Sequence, residues 1–457
     1  MSSMYTAVCS HAIFPLHERL KGHDSVAVRQ RLEVSQWWPR EAIEADRVAR
    51  LRRFLVDAGN RVPYYRELFA RSGFQPEGVQ SLADLAKLPL LGKPEIRAHA
   101  DRIKAEGHGP LQRYNTGGSS GEPLIFYIGK DRVTHDVAAK WRATRWWGVD
   151  IGDPEMVVWG SPIELGAQDR VRRFRDKLLR TQLLPAFEMS DTKVDGFIAA
   201  IRQQRPRMLF GYPSALTHIA RHSQKRGIAM NDLGIQVAFV TSERLYDDQR
   251  ATIGSVFGCG VANGYGGRDA GFIAHECPSG GMHVTAEDII VETIGQDGQP
   301  VPEGQPGEIV TTHLATRDFP FIRYRTGDVA VLSKATCACG RGLPLIQELQ
   351  GRTTDFVLAA DGTVMHGLAL IYILRDLPGV QSFKIVQETL LHTVVQLVVD
   401  ERFVRAQSAD IVLAFKRRLG DAVQVDLQFV ERIAAEKSGK FRYVVSRVTG
   451  QPPAAGV

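Results

Sequence analysis

The segment Asn115-Thr116-Gly117-Gly118-Ser119-Ser120-Gly121-Glu122-Pro123 (NTGGSSGEP) is the most informative stretch of the chain. Its three glycines allow a tightly folded backbone, and its three hydroxyls add hydrogen-bond donors. Consecutive backbone N–H groups with such hydroxyls can wrap phosphate oxygens. The chain has no Walker sequence, because Gly439-Lys440 lacks both the upstream glycine and the following Ser/Thr. Taken alone, the segment fits either a flexible connector or a phosphate-binding loop of another kind.

Two later segments favour nucleotide binding. Asn263–Asp269 (NGYGGRD) combines an aromatic ring, which can stack on a base, with glycines that permit close approach. Phe321–Asp328 (FIRYRTGD) places an acid at a turn. An acid in that position suits hydrogen bonds to ribose hydroxyls, as in dinucleotide sites. Gly351-Arg352 and Lys437–Lys440 (KSGK) follow further along the chain.

The pattern of apolar runs predicts an α/β fold. After Thr116 short β-rich runs, among them Met156–Trp159, Met208–Phe210 and Val237–Thr241, alternate with helical patterns. Such alternation is typical of a parallel, layered sheet. Met282–Ile294 is predicted as a further strand. The pattern changes near residue 350, so we expect a large domain over 1–350, mostly helical in its first 110 residues, and a small α+β domain over 351–457.

Composition narrows the class of protein. The 457 residues are 44% hydrophobic and 24% charged, which is typical of a soluble globular chain. The longest charge-free stretch, 251–267, is shorter than the roughly 20 apolar residues of a membrane span, and no secretory signal is visible. The net charge of +6 does not demand a basic nucleic-acid-binding face. We therefore expect a cytoplasmic protein that binds neither nucleic acid nor membrane.

The segments TGGSSGEP, YGGRDAG, IRYRTGD, GRTTD and SGKFR, in this order, resemble the adenylate-forming superfamily of acyl-CoA synthetases and adenylation domains. More narrowly, the chain resembles the phenylacetate-CoA ligase-like branch, including its capsule-biosynthesis homologues, from about residue 36 to about residue 446. The resemblance implies a large adenylate-forming domain and a small mobile C-terminal domain. It also implies that ATP converts a carboxylic acid into an acyl-adenylate with release of pyrophosphate. A thiol, most commonly coenzyme A, then displaces AMP.

The resemblance also assigns the nucleotide-binding residues. Thr116 to Gly121 would hold the β- and γ-phosphates. Tyr265 would stack on adenine beside Gly264, Gly266 and Gly267. Asp328 would bind the ribose, with Arg325 close by in the same motif.

Three catalytic residues follow from the same resemblance. Lys440 would reach from the small domain to the carboxylate and the α-phosphate, with Lys437 as the alternative lysine. Arg352 would lie at a hinge over residues 352–355. Asp269 stands where the family usually has a Mg²⁺-binding Glu; Asp is one methylene shorter, which changes the geometry of metal binding. The hinge also departs from the family, with Thr354 where Asp or Lys is usual.

The acid pocket is expected between the glycine-hydroxyl loop and YGGRDAG. Its candidates are Tyr212, Ser242, Glu243 and Ser161, with Pro213, Gly264 and Trp159 beside them. Most of these residues have core packing as their alternative role. The branch favours aromatic acids, so an aromatic or other small acid is the expected substrate.

Cys277, His283, Cys337 and Cys339 form a candidate zinc site, because Cys₃His is an accepted structural zinc set. His275 is an alternative fourth ligand. The competing interpretation is that these cysteines act as small buried hydrophobes.

Several alternatives concern the acceptor and the activity itself. The acyl group could pass to a carrier-protein thiol or an amine instead of coenzyme A, and a catalytically inactive ATP-binding scaffold is a second alternative. An NAD(P)-linked enzyme is disfavoured, since no Gly-x-Gly-x-x-Gly opens a helix. The helices of the first 110 residues could support a homodimer.

Overall fold

A computed structural model of the chain describes residues 4–115, 124–159, 170–186, 189–295, 297–352, 356–362, 364–366, 368–375, 377–433 and 442–448. The chain folds as two compact units. The larger comprises Met1–Thr326 and Ala330–Leu349, and the smaller comprises Gly327–Val329 and Gln350–Val457.

The larger unit begins with six α-helices, with short π and 3₁₀ segments between some of them. They are α1 (Met4–Val8), α2 (Phe14–Leu20), α3 (Ser25–Ser35), α4 (Arg40–Arg61), α5 (Pro63–Ser72) and α6 (Lys93–Ile103). The longest, α4, buries Leu51, Phe54 and Leu55 on one face, as expected for apolar residues at helical spacing. Helix α5 follows at once because Pro63 suits a first helical position, and it ends at Gly73, whose φ of 64° is left-handed.

An eleven-stranded sheet forms the centre of the larger unit, in the order β10-β11-β12-β13-β9-β8-β7-β6-β5-β3-β4. Its strands are β3 (Glu155–Trp159), β4 (Thr181–Pro185), β5 (Met208–Gly211), β6 (Val237–Thr241), β7 (Gly260–Gly267), β8 (Gly271–Glu276), β9 (Met282–Val284), β10 (Ile289–Ile294), β11 (Pro306–His313), β12 (Tyr324–Ser333) and β13 (Leu345–Arg352). A separate hairpin pairs β1 (Gln112–Asn115) with β2 (Ile125–Ile128).

Strands β4, β3, β5, β6 and β7 are mutually parallel. The helices of this region are α7 (Lys130–Trp146), α8 (Arg170–Leu178), α9 (Asp191–Gln204), α10 (Pro213–Lys225) and α11 (Asp247–Phe257). Leu209 and Ala238 face one apolar cluster, while the adjacent Phe210 and Phe239 face another. Strands β5 and β6 are therefore buried on both faces, which explains their continuous apolar sequences. The predicted α/β class is confirmed.

The smaller unit is a four-stranded sheet in the order β18-β17-β16-β19 with a short hairpin and two helices. Its strands are β14 (Phe356–Leu358), β15 (Val364–His366), β16 (Val380–Thr389), β17 (His392–Val399), β18 (Gln424–Phe429) and β19 (Val444–Ser446), and its helices are α12 (Leu368–Arg375) and α13 (Gln407–Leu419). Ile385, Leu397 and Phe415 are fully buried in this unit.

One predicted strand is wrong in extent. Met282–Ile294 was expected to be continuous, but residues 285–288 form a turn between β9 and β10. Glu287 and Asp288 are buried there as ion-pair partners of Arg142 and Arg31, at 2.5 and 2.9 Å. Within the described residues, no helix is long and apolar enough to cross a membrane.

Candidate active site and metal centre

The carboxyl ends of the parallel strands bring several candidate residues to one edge of the sheet. The register pairs Gly211 of β5 with Val158 and Val240, and Thr241 of β6 with Gly264. Tyr212 follows β5 directly, and Ser242 and Glu243 follow β6. Ligands of open parallel sheets bind at this edge, so the structure supports a shared location for these candidates.

An aromatic stack lies at this edge. The rings of Trp159 and Tyr212 are stacked with centroids 4.4 Å apart, and Trp159 also stacks on Phe210 at 6.0 Å. Tyr212 is 2% exposed, whereas Trp159 is only half-buried. Offset stacking of this kind is favourable, and the Trp159 side chain stays partly exposed.

Ser242 and Glu243 have local structural roles as well. Ser242 has a φ of 72°, a left-handed conformation that is uncommon for a residue with a Cβ. Glu243 accepts a hydrogen bond at Oε2 from the Ser214 backbone N–H, at 3.2 Å. Ser214 lies in the first turn of α10, where backbone N–H groups lack helical partners. Glu243 thus stabilises the start of that helix, which is a role separate from substrate binding.

The glycine-rich strand β7 and its turn approach neighbouring atoms closely. A Cβ at Gly264 would lie 2.7 Å from Cε1 of Phe239, and one at Gly267 would lie 2.6 Å from Oδ1 of Asp269. Tyr265 is half-buried and packs against an apolar cluster. Only glycine fits these positions without displacement of its neighbours.

The turn after β7 carries Asp269. Its Oδ2 accepts a hydrogen bond from the Tyr324 hydroxyl at 2.6 Å, and its Oδ1 accepts one from the Ala270 N–H at 3.1 Å. The preceding Arg268 donates from Nη1 to the Asn115 carbonyl at 3.4 Å. Asn115 is the first residue of the glycine-hydroxyl segment Asn115–Pro123, so two segments singled out in the sequence meet here.

Arg132 of α7 fixes the same turn through hydrogen bonds to its backbone. It donates to the carbonyls of Asp269 at 3.1 Å and of Arg268 at 3.3 Å. Its Nε also donates to Asp136 at 2.9 Å, and Arg132 is only 2% exposed. The backbone of the turn is therefore fixed by a buried guanidinium.

Strand β12 carries two further candidates. Arg325 donates from Nε to both carboxylate oxygens of Glu308, at 3.1 and 3.0 Å. Asp328 is half-buried three positions later. The ion pair shows where the Arg325 guanidinium points, and the nucleotide roles of both residues stay predictions.

The remaining candidates lie wholly or partly outside the described residues. Thr116 to Gly121, Ser161, Lys437, Lys440, Thr354 and Asp355 are not described. Arg352 ends β13, but its side chain is not described.

The predicted metal ligands do come together. One donor atom from each of Cys277, His283, Cys337 and Cys339 lies within 4.8 Å of the others. The Cys277 and Cys337 sulfurs are 3.6 Å apart, and Cys339 Sγ is 3.2 Å from His283 Nε2. A tetrahedral zinc with Zn–S bonds of about 2.3 Å places sulfurs about 3.8 Å apart. The four donors therefore fit a tetrahedral zinc, and His283, not His275, completes the set.

The surroundings of this cluster act on both the position and the protonation of its donor atoms. A Cβ at Gly281 would lie 2.5 Å from Cys337 Sγ and 3.2 Å from His283 Nε2, so the loop is shaped around the donors. Burial lowers the pKa of His283 to about 4 and raises the pKa of Cys277 to about 11. Burial also opposes ionisation of Cys339, but hydrogen bonds from Arg341, Cys337 and Cys277 together outweigh it and lower the pKa of that thiol.

Sequence reasoning did not identify Arg132 or Tyr324 as site residues. Tyr324 lies inside the quoted FIRYRTGD segment, so its motif membership was a usable signal. Arg132 sits in an ordinary helical pattern, and nothing in the sequence distinguishes it from a surface arginine.

The chain resembles phenylacetate-coenzyme A ligases and Protein CapK in sequence. A family model described as the CapK C-terminal domain matches residues 357–447. The phenylacetate-coenzyme A ligase of Thermus thermophilus is 27% identical over 329 residues, which cover 70% of this chain and 72% of that protein. Protein CapK of Staphylococcus aureus is 22% identical over 392 residues, which cover 84% and 85%.

A solved structure shares the fold. That structure, 2-hydroxyisobutyryl-CoA ligase in the postadenylation state with an AMP-linked ligand, has a TM-score of 0.73 at 20% identity and covers 90% of this chain and 91% of its own. An open conformation of the same ligase, in complex with 2-HIB-AMP and CoA, has a TM-score of 0.59 at 21% identity and covers 90% and 93%. These likenesses confirm the adenylate-forming fold and the predicted resemblance of this chain to the phenylacetate-CoA ligase-like branch of the adenylate-forming superfamily.

Proposed function

We propose that this protein activates a carboxylic acid with ATP, forming an acyl-adenylate and pyrophosphate, and transfers the acyl group to the thiol of coenzyme A. The relatives, which are phenylacetate-coenzyme A ligases, support the enzyme class of an AMP-forming acid–thiol ligase. The observation that carries the proposal is the hydrogen bond between Arg268 and Asn115. It joins the turn bearing Asp269 to the start of the glycine-hydroxyl segment, which supports the proposal that the cation ligand and the phosphate loop form one site.

The first step must overcome repulsion between two anions. A carboxylate oxygen attacks the α-phosphorus, and the bond to the bridging oxygen breaks so that pyrophosphate leaves with the electron pair. Backbone N–H groups and hydroxyls of Thr116 to Gly121 hold the β- and γ-phosphates in this proposal. Lys440 neutralises charge between the carboxylate and the α-phosphate. Such preorganised donors and cations are the main source of rate enhancement in phosphoryl chemistry.

Asp269 is the residue that would hold Mg²⁺. The ion, when bound, supplies positive charge to the phosphate oxygens. The Asp269 carboxylate has accepting capacity beyond its two hydrogen bonds, since an ionised carboxylate offers about four lone-pair positions. Tyr265 and Asp328 bind the adenine and the ribose in this proposal.

We infer an aromatic acid as the substrate class. The exposed part of Trp159, stacked on Tyr212 at the carboxyl edge of the sheet, is suited to contact a planar ring. The Cys₃His cluster binds zinc in a structural role, because it lies on β9 and the loops beside it and is complete without an open ligand position. The cytoplasmic location and the homodimer stay predictions.

The test is acid-dependent AMP formation across a panel of aromatic and aliphatic acids, with and without coenzyme A. We expect AMP and an acyl-CoA thioester with an aromatic acid. Trp159→Ala should form less AMP with that acid than Trp37→Ala does. Trp37→Ala is the control, because it removes an indole that is 52% exposed. Adenylate formation without thioester would assign the acceptor to a carrier protein or an amine. No acid-dependent AMP with any acid would indicate an inactive scaffold.

A further inference from the structure

The hydroxyl of Tyr324 is aimed at the Asp269 carboxylate from a rigid position. We propose that Tyr324 is a positioning residue that orients this carboxylate for a divalent cation. The inference rests on the proposed function, in which Asp269 is the cation ligand. Tyr324 contacts the side chain of the cation ligand, so its role is to position that ligand.

The hydrogen bonds leave one arrangement of the carboxylate. Oδ2 accepts from the Tyr324 hydroxyl at 2.6 Å, and Oδ1 accepts from the Ala270 N–H at 3.1 Å. With each oxygen held by one donor, the plane of the carboxylate is fixed and the other lone pairs are directed away from both donors. An aspartate without the Tyr324 bond would rotate about its terminal torsion, which is broad for sp³–sp² bonds.

Tyr324 is itself held tightly. Its side chain is 0% exposed, and its ring stacks on Phe321 with centroids 4.8 Å apart and an interplanar angle of 17°. The backbone on either side is tied to Leu91, whose N–H donates to the Arg323 carbonyl at 2.9 Å and whose carbonyl accepts from the Arg325 N–H at 3.0 Å. The hydroxyl therefore has little freedom to leave Asp269.

The turn that carries Asp269 is fixed independently by Arg132, which donates to two of its carbonyls. Backbone and side chain are thus both restrained. This explains how an aspartate can serve where the family's longer glutamate is usual. The shorter side chain is fixed in one orientation, so the carboxylate does not have to reorient to bind the ion. Partners that orient a metal ligand are typically worth about 10–100-fold in metal affinity or activity.

The test compares Tyr324→Phe with Tyr65→Phe. Phe keeps the ring and removes only the hydroxyl in each variant. Tyr65 is a matched control because it is 1% exposed and its hydroxyl donates to the Pro320 carbonyl at 3.0 Å. The Tyr65 hydroxyl also accepts from the Ile322 N–H at 3.3 Å, so each variant loses buried hydrogen bonding. Of the two hydroxyls, only that of Tyr324 is bonded to Asp269.

Two readouts are needed. Binding of Mn²⁺ to the full chain with a non-hydrolysable ATP analogue is measured by water-proton relaxation, and the Mg²⁺ concentration for half-maximal pyrophosphate exchange is measured separately. We expect Tyr324→Phe to weaken Mn²⁺ binding and raise the half-saturating Mg²⁺ concentration by at least about tenfold, with exchange largely recovered at saturating Mg²⁺. Tyr65→Phe should leave both values unchanged.

Wild-type metal dependence in Tyr324→Phe, alongside an active wild-type enzyme, would overturn the inference and leave the proposed function intact. An equal shift in both variants would also overturn it, since the effect would then be general loosening of the fold. No exchange by the wild-type chain with any acid would instead refute the proposed function, and the inference with it.

Discussion

Replacing Gly264 with alanine tests how closely β7 must approach β6. A Cβ at this position would lie 2.7 Å from Cε1 of Phe239, whereas carbon atoms in contact prefer about 3.5–4.0 Å. About 1 Å must therefore be gained by moving the ring or the strand. The Phe239 ring cannot move freely, because it is 1% exposed and lies 6.0 Å from the Phe210 ring and 5.9 Å from the His275 ring.

We expect Gly264→Ala to lower the free energy of unfolding by about 1–3 kcal/mol, the usual cost of overpacking a tight core. The strand shift also displaces Tyr265 and the Asp269 turn, so pyrophosphate exchange should fall at least about tenfold, the effect of about 1.4 kcal/mol on a barrier. Urea unfolding and exchange with an accepted acid measure the two effects.

Gly196→Ala is the matched control. Gly196 is an exposed residue inside α9, and a Cβ there would meet no atom within 4 Å. This change should stabilise the chain by about 0.5–1 kcal/mol, because alanine is the better helix former, and should leave exchange unaltered. If Gly264→Ala matches wild type in both assays, the close approach of β7 is not required.

Three further changes have defined outcomes. Cys337→Ser should reduce zinc from one per chain to well under one in elemental analysis, whereas Cys259→Ser, outside the cluster, should not; a wild-type protein without zinc would reject the site. Lys440→Ala should lower pyrophosphate exchange at least about 100-fold, as expected when a cation that offsets phosphate charge is lost, while Lys437→Ala retains activity; the reverse pattern would move the assignment to Lys437. Burial holds the pKa of His313 well below its usual value. As pH falls below about 6.5, this histidine therefore binds a proton in the unfolded chain but not in the folded one. The free energy of unfolding then falls by up to about 1.4 kcal/mol per pH unit. His313→Asn should remove this one-proton contribution from the slope of unfolding free energy between pH 6.5 and 5, and an unchanged slope would contradict the assignment.

The parallel part of the sheet was predictable because its signal is local. Val237–Thr241 is buried along its whole length, and a strand buried on both faces appears in sequence as one apolar run. Helices such as α10 were predictable from helical spacing of apolar residues. The order of the eleven strands was not predictable, since the sequence of a strand does not show which distant strand it pairs with.

The metal cluster was predictable as a set of residue types, and the buried arginines that hold the turns were not. Cys277 and Cys337 are sixty positions apart, yet thiols and imidazole are rare enough to stand out. Arg132 and Arg142 have ordinary helical neighbours in sequence, and their importance comes from burial against Asp269 and Glu287. Ion pairs between residues distant in sequence also interrupt the strand predicted over Met282–Ile294, because Glu287 and Asp288 bind Arg142 and Arg31.

Oxygen transfer from substrate to nucleotide tests the central claim most directly. An aromatic acid labelled with ¹⁸O in both carboxylate oxygens is incubated with the protein, ATP, Mg²⁺ and coenzyme A, and the phosphate products are analysed by mass spectrometry. If the carboxylate attacks the α-phosphorus, one labelled oxygen remains on AMP when the thiol displaces it. We predict AMP carrying one ¹⁸O and unlabelled pyrophosphate; label in inorganic phosphate with formation of ADP, or AMP without label, would contradict an acyl-adenylate.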